Sequence, residues 1–120
     1  MNSSSTNKGR EGEDLACNFL YEKGFQIVQR NYHYHNRGEI DIIALDGCTL
    51  VFLEVKYRKN LEYGEPEEGI TRSKINQIKK LAEAYLYENN IEGVDCRFDV
   101  IAILEPEGGE PDIRYYSNAF

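Results

Sequence analysis

Two apolar, β-rich runs meet at one turn pair, and no other stretch constrains the fold as strongly. Glu39 to Leu45 and Leu50 to Arg58 are mostly β-branched, aliphatic or aromatic, and Asp46-Gly47 lies between them. Asp-Gly between such runs is a strong hairpin signal. Charges interrupt the runs at Asp41, Glu54 and Lys56. A buried charge costs several kcal/mol unless it is paired or bound to a metal. These three therefore require partners, and the expectation is a metal site that acts on nucleic acid.

The rest of the chain reads as elements arranged around this hairpin. Residues 1–8 are rich in Ser, Asn and Thr and predict a flexible N-terminal tail. A helix is expected from about Arg10 to Lys23, with Leu15, Ala16, Phe19 and Leu20 on one face and Gly24 as a left-handed C-cap. Glu11, Glu13 and Asp14 would then lie in its first turn, where the helix dipole favours acids. Phe25 to Tyr34 predicts the first strand, and Asn36-Arg37-Gly38 turns into the second. After the hairpin, Lys59 to Ile70 is aperiodic and reads as a long loop of the functional kind. A second helix is expected from Thr71 or Arg72 to Glu88 or Asn89, with Ile75, Ile78, Ala82, Tyr85 and Leu86 as its buried stripe. Arg97 to Leu104 predicts a fourth strand, and Ile113 to Tyr116 a short fifth at an edge. The fold class is α/β: a single domain over residues 9–120, with a mixed sheet of four to five strands and a helix–three strands–helix–strand core.

Composition narrows the function classes. A chain of 120 residues that is 41% hydrophobic suits one domain with a modest core. No apolar run approaches the roughly 20 residues that span a bilayer, and the first residues lack a signal-peptide core. The expectation is a soluble cytoplasmic protein that does not engage a membrane. The three cysteines form no C-x-x-C pair, which argues against zinc and redox dithiol chemistry. The net charge of −7 counts against tight non-specific nucleic-acid binding. However, Lys56, Arg58 and Lys59 cluster at the hairpin end, as do Arg72, Lys74, Lys79 and Lys80 on the second helix. A bound cation would also reverse the local sign.

Strand alternation places Glu39, Asp41 and Ile43 on one face, and Phe52, Glu54, Lys56 and Arg58 on one face of the next strand. A two-residue loop at Asp46-Gly47 puts Asp41 opposite Phe52; a four-residue loop from Asp46 to Thr49 puts it opposite Glu54. Opposed Cβ atoms lie roughly 4.5–5.5 Å apart, a separation that suits two carboxylates sharing one hard cation, so the longer loop is expected. Mg2+ prefers oxygen ligands and removes the repulsion between the two acids. Lys56 projects on the same side, where it could stabilise phosphoryl charge.

Asp41 followed by Glu54-Val55-Lys56 on the next strand resembles the PD-(D/E)XK nuclease superfamily, which includes restriction enzymes and Holliday-junction resolvases. More closely, the chain resembles the YraN-like family of small bacterial proteins. The matching residues are Gly9-x-x-Gly12-Glu13-x-x-Ala16, Gly38-Glu39-Ile40-Asp41, Val51 to Arg58, Lys74 and Arg97-Phe98-Asp99-Val100. The resemblance implies a restriction-endonuclease-like fold, catalytic residues at Asp41, Glu54 and Lys56, and a metal held by Asp41 and Glu54. It suggests Glu13 as a further acid reaching the metal or its water. It implies a Mg2+-dependent endonuclease for structured or branched DNA, with Mn2+ substituting and a homodimer by analogy with resolvases. Lys74 could hold a phosphate or be plain helix surface, and Arg58 could pair with nucleic acid or pack. Glu39 is a second-tier ligand, and His33 and His35 read as exposed or hydrogen-bonded rather than metal-binding. Asp99 reads as structural, bonded to backbone or to Arg97. The alternatives are a nuclease-fold protein that binds nucleic acid or a protein partner without cutting, and an interaction domain using Lys59–Ile70.

Overall fold

The central hairpin adopts the register that sets Asp41 towards Glu54. In the computed structural model, which describes residues 4–120, β2 (Glu39–Asp46) and β3 (Thr49–Arg58) pair antiparallel. Ile42 faces Leu53, Leu45 faces Leu50, and Asp46 faces Thr49. The register is that of the four-residue loop, but the Asp46–Thr49 pair closes inside it. The turn is thereby shortened to Gly47 and Cys48, with Gly47 at φ +63°.

The other elements follow in chain order. α1 (Ser4–Glu22) leads into β1 (Gln26–His33), which pairs antiparallel with β2. After β3 come a 3-10 turn (Pro66–Gly69), α2 (Arg72–Glu88), β4 (Cys96–Leu104) and β5 (Asp112–Tyr116). The strands lie in the order β1-β2-β3-β4-β5; β3 and β4 are parallel and the other pairs antiparallel. The chain is one α/β domain with a five-stranded mixed sheet and two long helices, as expected. No described helix is long and apolar enough to cross a membrane.

The helices cover opposite faces of the sheet. Ala16 and Leu20 of α1 pack with Ile42, Ala44, Val51, Leu53, Ile101 and Ile103. Ile78, Leu81 and Tyr85 of α2 pack with Tyr32, Ile40, Ile43, Leu50 and Phe52. Covered on both faces, the middle of the sheet reads as continuous apolar sequence. Each fully buried aliphatic side chain contributes roughly 1.5–3 kcal/mol.

Two expectations change. α1 begins at Ser4 rather than near Arg10, so Glu11, Glu13 and Asp14 lie beyond its first turn and the dipole does not explain them. The helix runs through Gly9, whose cost of about 1 kcal/mol relative to Ala is affordable in a longer helix. The tail expected over residues 1–8 falls partly on α1 and partly outside the described residues. Second, Lys59–Ile70 contains the 3-10 turn, which Arg114 of β5 holds through Glu65 at 2.6 Å and Glu67 at 2.9 Å.

Candidate metal centre

Glu13 reaches the sheet because Gly12 has no side chain. A Cβ at Gly12 would lie 2.7 Å from Cβ of Tyr57 on β3, so only glycine lets α1 approach this closely. The Glu13 carboxylate accepts from Asn31 Nδ2 at 3.0 Å on both oxygens, and Arg30 stands 3.6 Å away. Burial raises its pKa above the ordinary glutamate value, against the opposing effects of Asn31 and Arg30.

The alternation of β2 breaks at Asp41. Ile40 and Ile43 both pack beneath α2, whereas Ile42 and Ala44 pack beneath α1. Strict alternation would place Ile40 with Ile42, so the expected grouping of Glu39, Asp41 and Ile43 on one face does not hold. Across from Asp41 on β1 is Asn31, in the left-handed region at φ +54°. The two strands change face together there. Freed from regular pairing, Asp41 turns its carboxylate towards β3, and Oδ2 accepts the Val55 N–H at 2.8 Å. Burial, followed by the negative charge of Glu54, pushes its pKa up to about 8. Glu13 and Glu39 push in the same direction, and the Val55 bond opposes them.

Glu54 is 4% exposed. Its Oε2 faces Lys56 Nζ at 3.5 Å and Lys74 Nζ at 3.8 Å. Its Oε1 is buried and has no hydrogen-bond partner. Lys74 is presented by the first turn of α2, where the Thr71 hydroxyl caps the helix by accepting the Lys74 N–H at 3.1 Å. The Lys56 stem and the Arg58 guanidinium both lie against Gly69, each 3.5 Å from where its Cβ would be. Arg58 Nε is buried without a partner.

Oxygens of Glu13, Glu39 and Asp41 all lie within 4.8 Å of one another, and Glu54 adjoins Asp41. An all-carboxylate set next to an unsatisfied carboxylate oxygen fits a hard divalent cation such as Mg2+. Glu13, Glu39 and Asp41 form one group and Glu54, Lys56 and Lys74 another, with the charge of Glu54 felt at Asp41; the residues come from α1, β2, β3 and α2. Arg58 remains one step along β3, under the 3-10 turn, and joins no carboxylate of the group among the described contacts.

Glu39 is the residue underrated from sequence. Asn31 Nδ2 bonds its Oε2 at 3.1 Å, which ties it to Glu13. Its i, i+2 spacing to Asp41 was the available signal. His33 Nε2 lies 3.3 Å from Glu39 Oε1, while the His35 ring packs on Tyr34 at 4.4 Å, so the two histidines do not converge. Asp99 is structural: it is fully buried, bonded to Arg97 Nε at 3.1 Å, to the Asn118 N–H at 2.7 Å and to the Tyr115 hydroxyl.

Residues 12–103 match the family model described as uncharacterised protein family UPF0102. A UPF0102 protein of Chlorobaculum tepidum is 49% identical over 108 residues, covering 90% of this chain and 83% of the relative. One from Chlorobium limicola is 50% identical over 109 residues, with 91% and 84% covered. One from Rhodococcus opacus is 44% identical over 112 residues, with 93% and 94% covered.

Proposed function

The chain belongs to the uncharacterised protein family UPF0102, and we propose that it is a Mg2+-dependent endonuclease of the PD-(D/E)XK kind that hydrolyses phosphodiester bonds in structured or branched DNA. The observation that carries this reading is the buried, unpartnered Oε1 of Glu54 beside Asp41. A buried carboxylate oxygen left without a partner is costly, and a cation shared with Asp41 removes that cost.

Asp41 and Glu54 would hold the metal, Mg2+ or Mn2+, with Glu13 and Glu39 on the other side of Asp41 to bind its water or a second oxygen ligand. When bound, such an ion supplies Lewis-acid stabilisation of phosphate charge and a more acidic water. The protein's own groups supply the rest. Lys56 places an ammonium where charge grows on the phosphate. Lys74 offers a second cation to hold the phosphate in place. Asn31 keeps Glu13 and Glu39 turned inward. A two-fold substrate such as a junction would call for a homodimer, which light scattering of the DNA complex checks.

Incubation with nicked, flapped, junction and single-stranded DNA, with Mg2+, Mn2+ or chelator, tests the reading. Metal-dependent cleavage is expected, reduced by about 10²-fold or more in Asp41→Ala, Glu54→Ala and Lys56→Ala. No cleavage of any substrate, or cleavage indifferent to Asp41→Ala, would sink it. The two ammonium groups already facing Glu54 Oε2 favour one second reading, a nuclease fold that binds nucleic acid without cutting. Absence of Mg2+ and Mn2+ binding by calorimetry, with DNA binding retained, would select it.

A further inference from the structure

A second cavity adjoins the carboxylate site and has the opposite charge. It encloses about 610 Å3 between the β1–β2 turn and the first half of α2. Its charged lining residues are Arg37, Arg72 and Lys80, with no carboxylate among the residues that line it. In a chain of net charge −7 this is a marked local reversal. Six other cations of the chain are engaged: Arg30, Lys56, Lys59, Lys74, Arg97 and Arg114 each face an acid, whereas Lys23, Arg58 and Lys79 have no acid partner among the described residues and lie outside this cavity. Arg37, Arg72 and Lys80 are exposed and have no ion-pair partner among the described residues.

The cavity is anchored to the site. Gln77 Nε2 donates to the Arg37 carbonyl at 2.8 Å and clasps the turn to α2. Gly38, at φ +108°, permits this, because a Cβ there would lie 2.4 Å from Gln77 Nε2. Glu39 follows Gly38 directly, and Lys74, which faces Glu54, lies one helical turn before Gln77. The cavity and the carboxylates therefore share the β1–β2 turn and the first turns of α2 as neighbours. Arg72 and Lys80 are separated by about 12 Å along α2 at roughly 1.5 Å per residue. That is the span of about three to four nucleotides of a duplex strand at 3.4 Å each.

We propose that the cavity walled by Arg37, Arg72 and Lys80 is a backbone track that binds the phosphates of the nucleic-acid arm flanking the cleavage point. This rests on the nuclease-fold reading of the neighbouring carboxylates. Phosphate contacts of this kind position a duplex without reading its sequence, and they make affinity steeply salt-dependent. They also explain how an acidic protein could grip a polyanion: three of its cations without an acid partner line one cavity beside the site.

The test is fluorescence anisotropy with a labelled DNA junction and a labelled duplex, in chelator so that no cleavage occurs, across a salt series. Arg37→Glu/Arg72→Glu/Lys80→Glu is compared with the wild type and with Lys23→Glu, a change in the turn that follows α1. The triple variant is expected to lose at least about tenfold in affinity and to flatten the log K against log salt slope by about 2 to 3, while Lys23→Glu matches the wild type. The triple Gln variant, which removes charge without reversing it, is the fallback if the Glu variant melts early, and is expected to show the same flattening. Wild-type slope and affinity in both triple variants overturn the track and leave the nuclease reading standing. A wild type that binds neither DNA overturns both. Competition by inorganic phosphate at constant ionic strength separates the sources: displacement of DNA at low phosphate concentration would assign the cavity to a free phosphate compound and overturn the track.

Discussion

On the proposed metal-site reading, Asp41 is the residue at which proton and metal would compete. Its pKa rises from the ordinary 3.8 to about 8 through burial and the charges of Glu54, Glu13 and Glu39. The folded state therefore holds this proton more tightly than the unfolded chain does. Below about pH 4 both states carry it; above that the unfolded chain ionises first, so the metal-free fold loses stability as pH rises to about 8 and then levels off. Thermal melts in chelator from pH 4 to 9 should show this decline. Asp41→Asn keeps an acceptor for the Val55 N–H but carries no charge. It should flatten the decline and raise Tm at pH 8 by roughly 4 °C or more, the equivalent of about 1 kcal/mol in a domain of this size. If Asp41 is a ligand, the metal must displace this proton, and metal affinity should fall by about tenfold per pH unit below 8. A metal affinity constant between pH 6 and 8 would show that Asp41 is not a ligand.

The elements meet through two contacts that leave no slack. At one, α1 lies on β3 with Gly12 against Tyr57. Gly12→Ala forces the helix outward and should cost about 1–3 kcal/mol, read as a lower denaturant midpoint at unchanged slope. It should also weaken metal binding, because Glu13 moves with the helix. At the other, Asp99 joins β4 to Arg97, to Tyr115 of β5 and to the Asn118 backbone. Asp99→Ala leaves the Asn118 N–H without its acceptor and Arg97 with Asp46 alone as its acid, and should cost about 1–3 kcal/mol. Metal affinity of the folded fraction should be unchanged, which separates Asp99 from the candidate ligands. Both positions sit in the motifs that carry the family resemblance, yet one serves the approach of an element and the other only the packing of the sheet edge.

For the whole molecule, the site's unfavourable charge density makes stability a reporter of metal. An ion bound by the folded state alone stabilises it by about 2.7 kcal/mol at a hundred times its Kd. Calorimetric scans with increasing Mg2+ or Mn2+ should therefore move Tm upward by several degrees, and Glu54→Gln should remove the shift. If Tm stays put while DNA binding persists, the binding-only reading takes over. The topology helps explain how so small a chain can carry a strained site. Every strand pairs with the strand next to it in sequence, and only the α2 crossover between β3 and β4 is parallel. Apart from the segment between β3 and α2 the connections are short, and both helices find a sheet face nearby.

The sequence by itself determined the element order, α2 to within a residue and the mixed sheet, because these follow from local periodicity and chain direction, and the hairpin register, because the two acids had to face each other where the Asp-Gly turn signal alone pointed to another pairing. It also indicated the acids and lysines at which apolar runs are interrupted, since a charge in a buried strand needs a partner wherever it occurs. Only the tertiary structure decided which groups those partners are. Asn31 and Asp41 change face together across two strands, a cooperative break that alternation within one strand cannot encode. That break brings Glu39 and Glu13 to Asp41 on one side and leaves Glu54 with Lys56 and Lys74 on the other. The same is true of the cavity walled by Arg37, Arg72 and Lys80. Its charge is unremarkable along the chain and acquires meaning only when the Gly38–Gln77 contact folds the β1–β2 turn against α2.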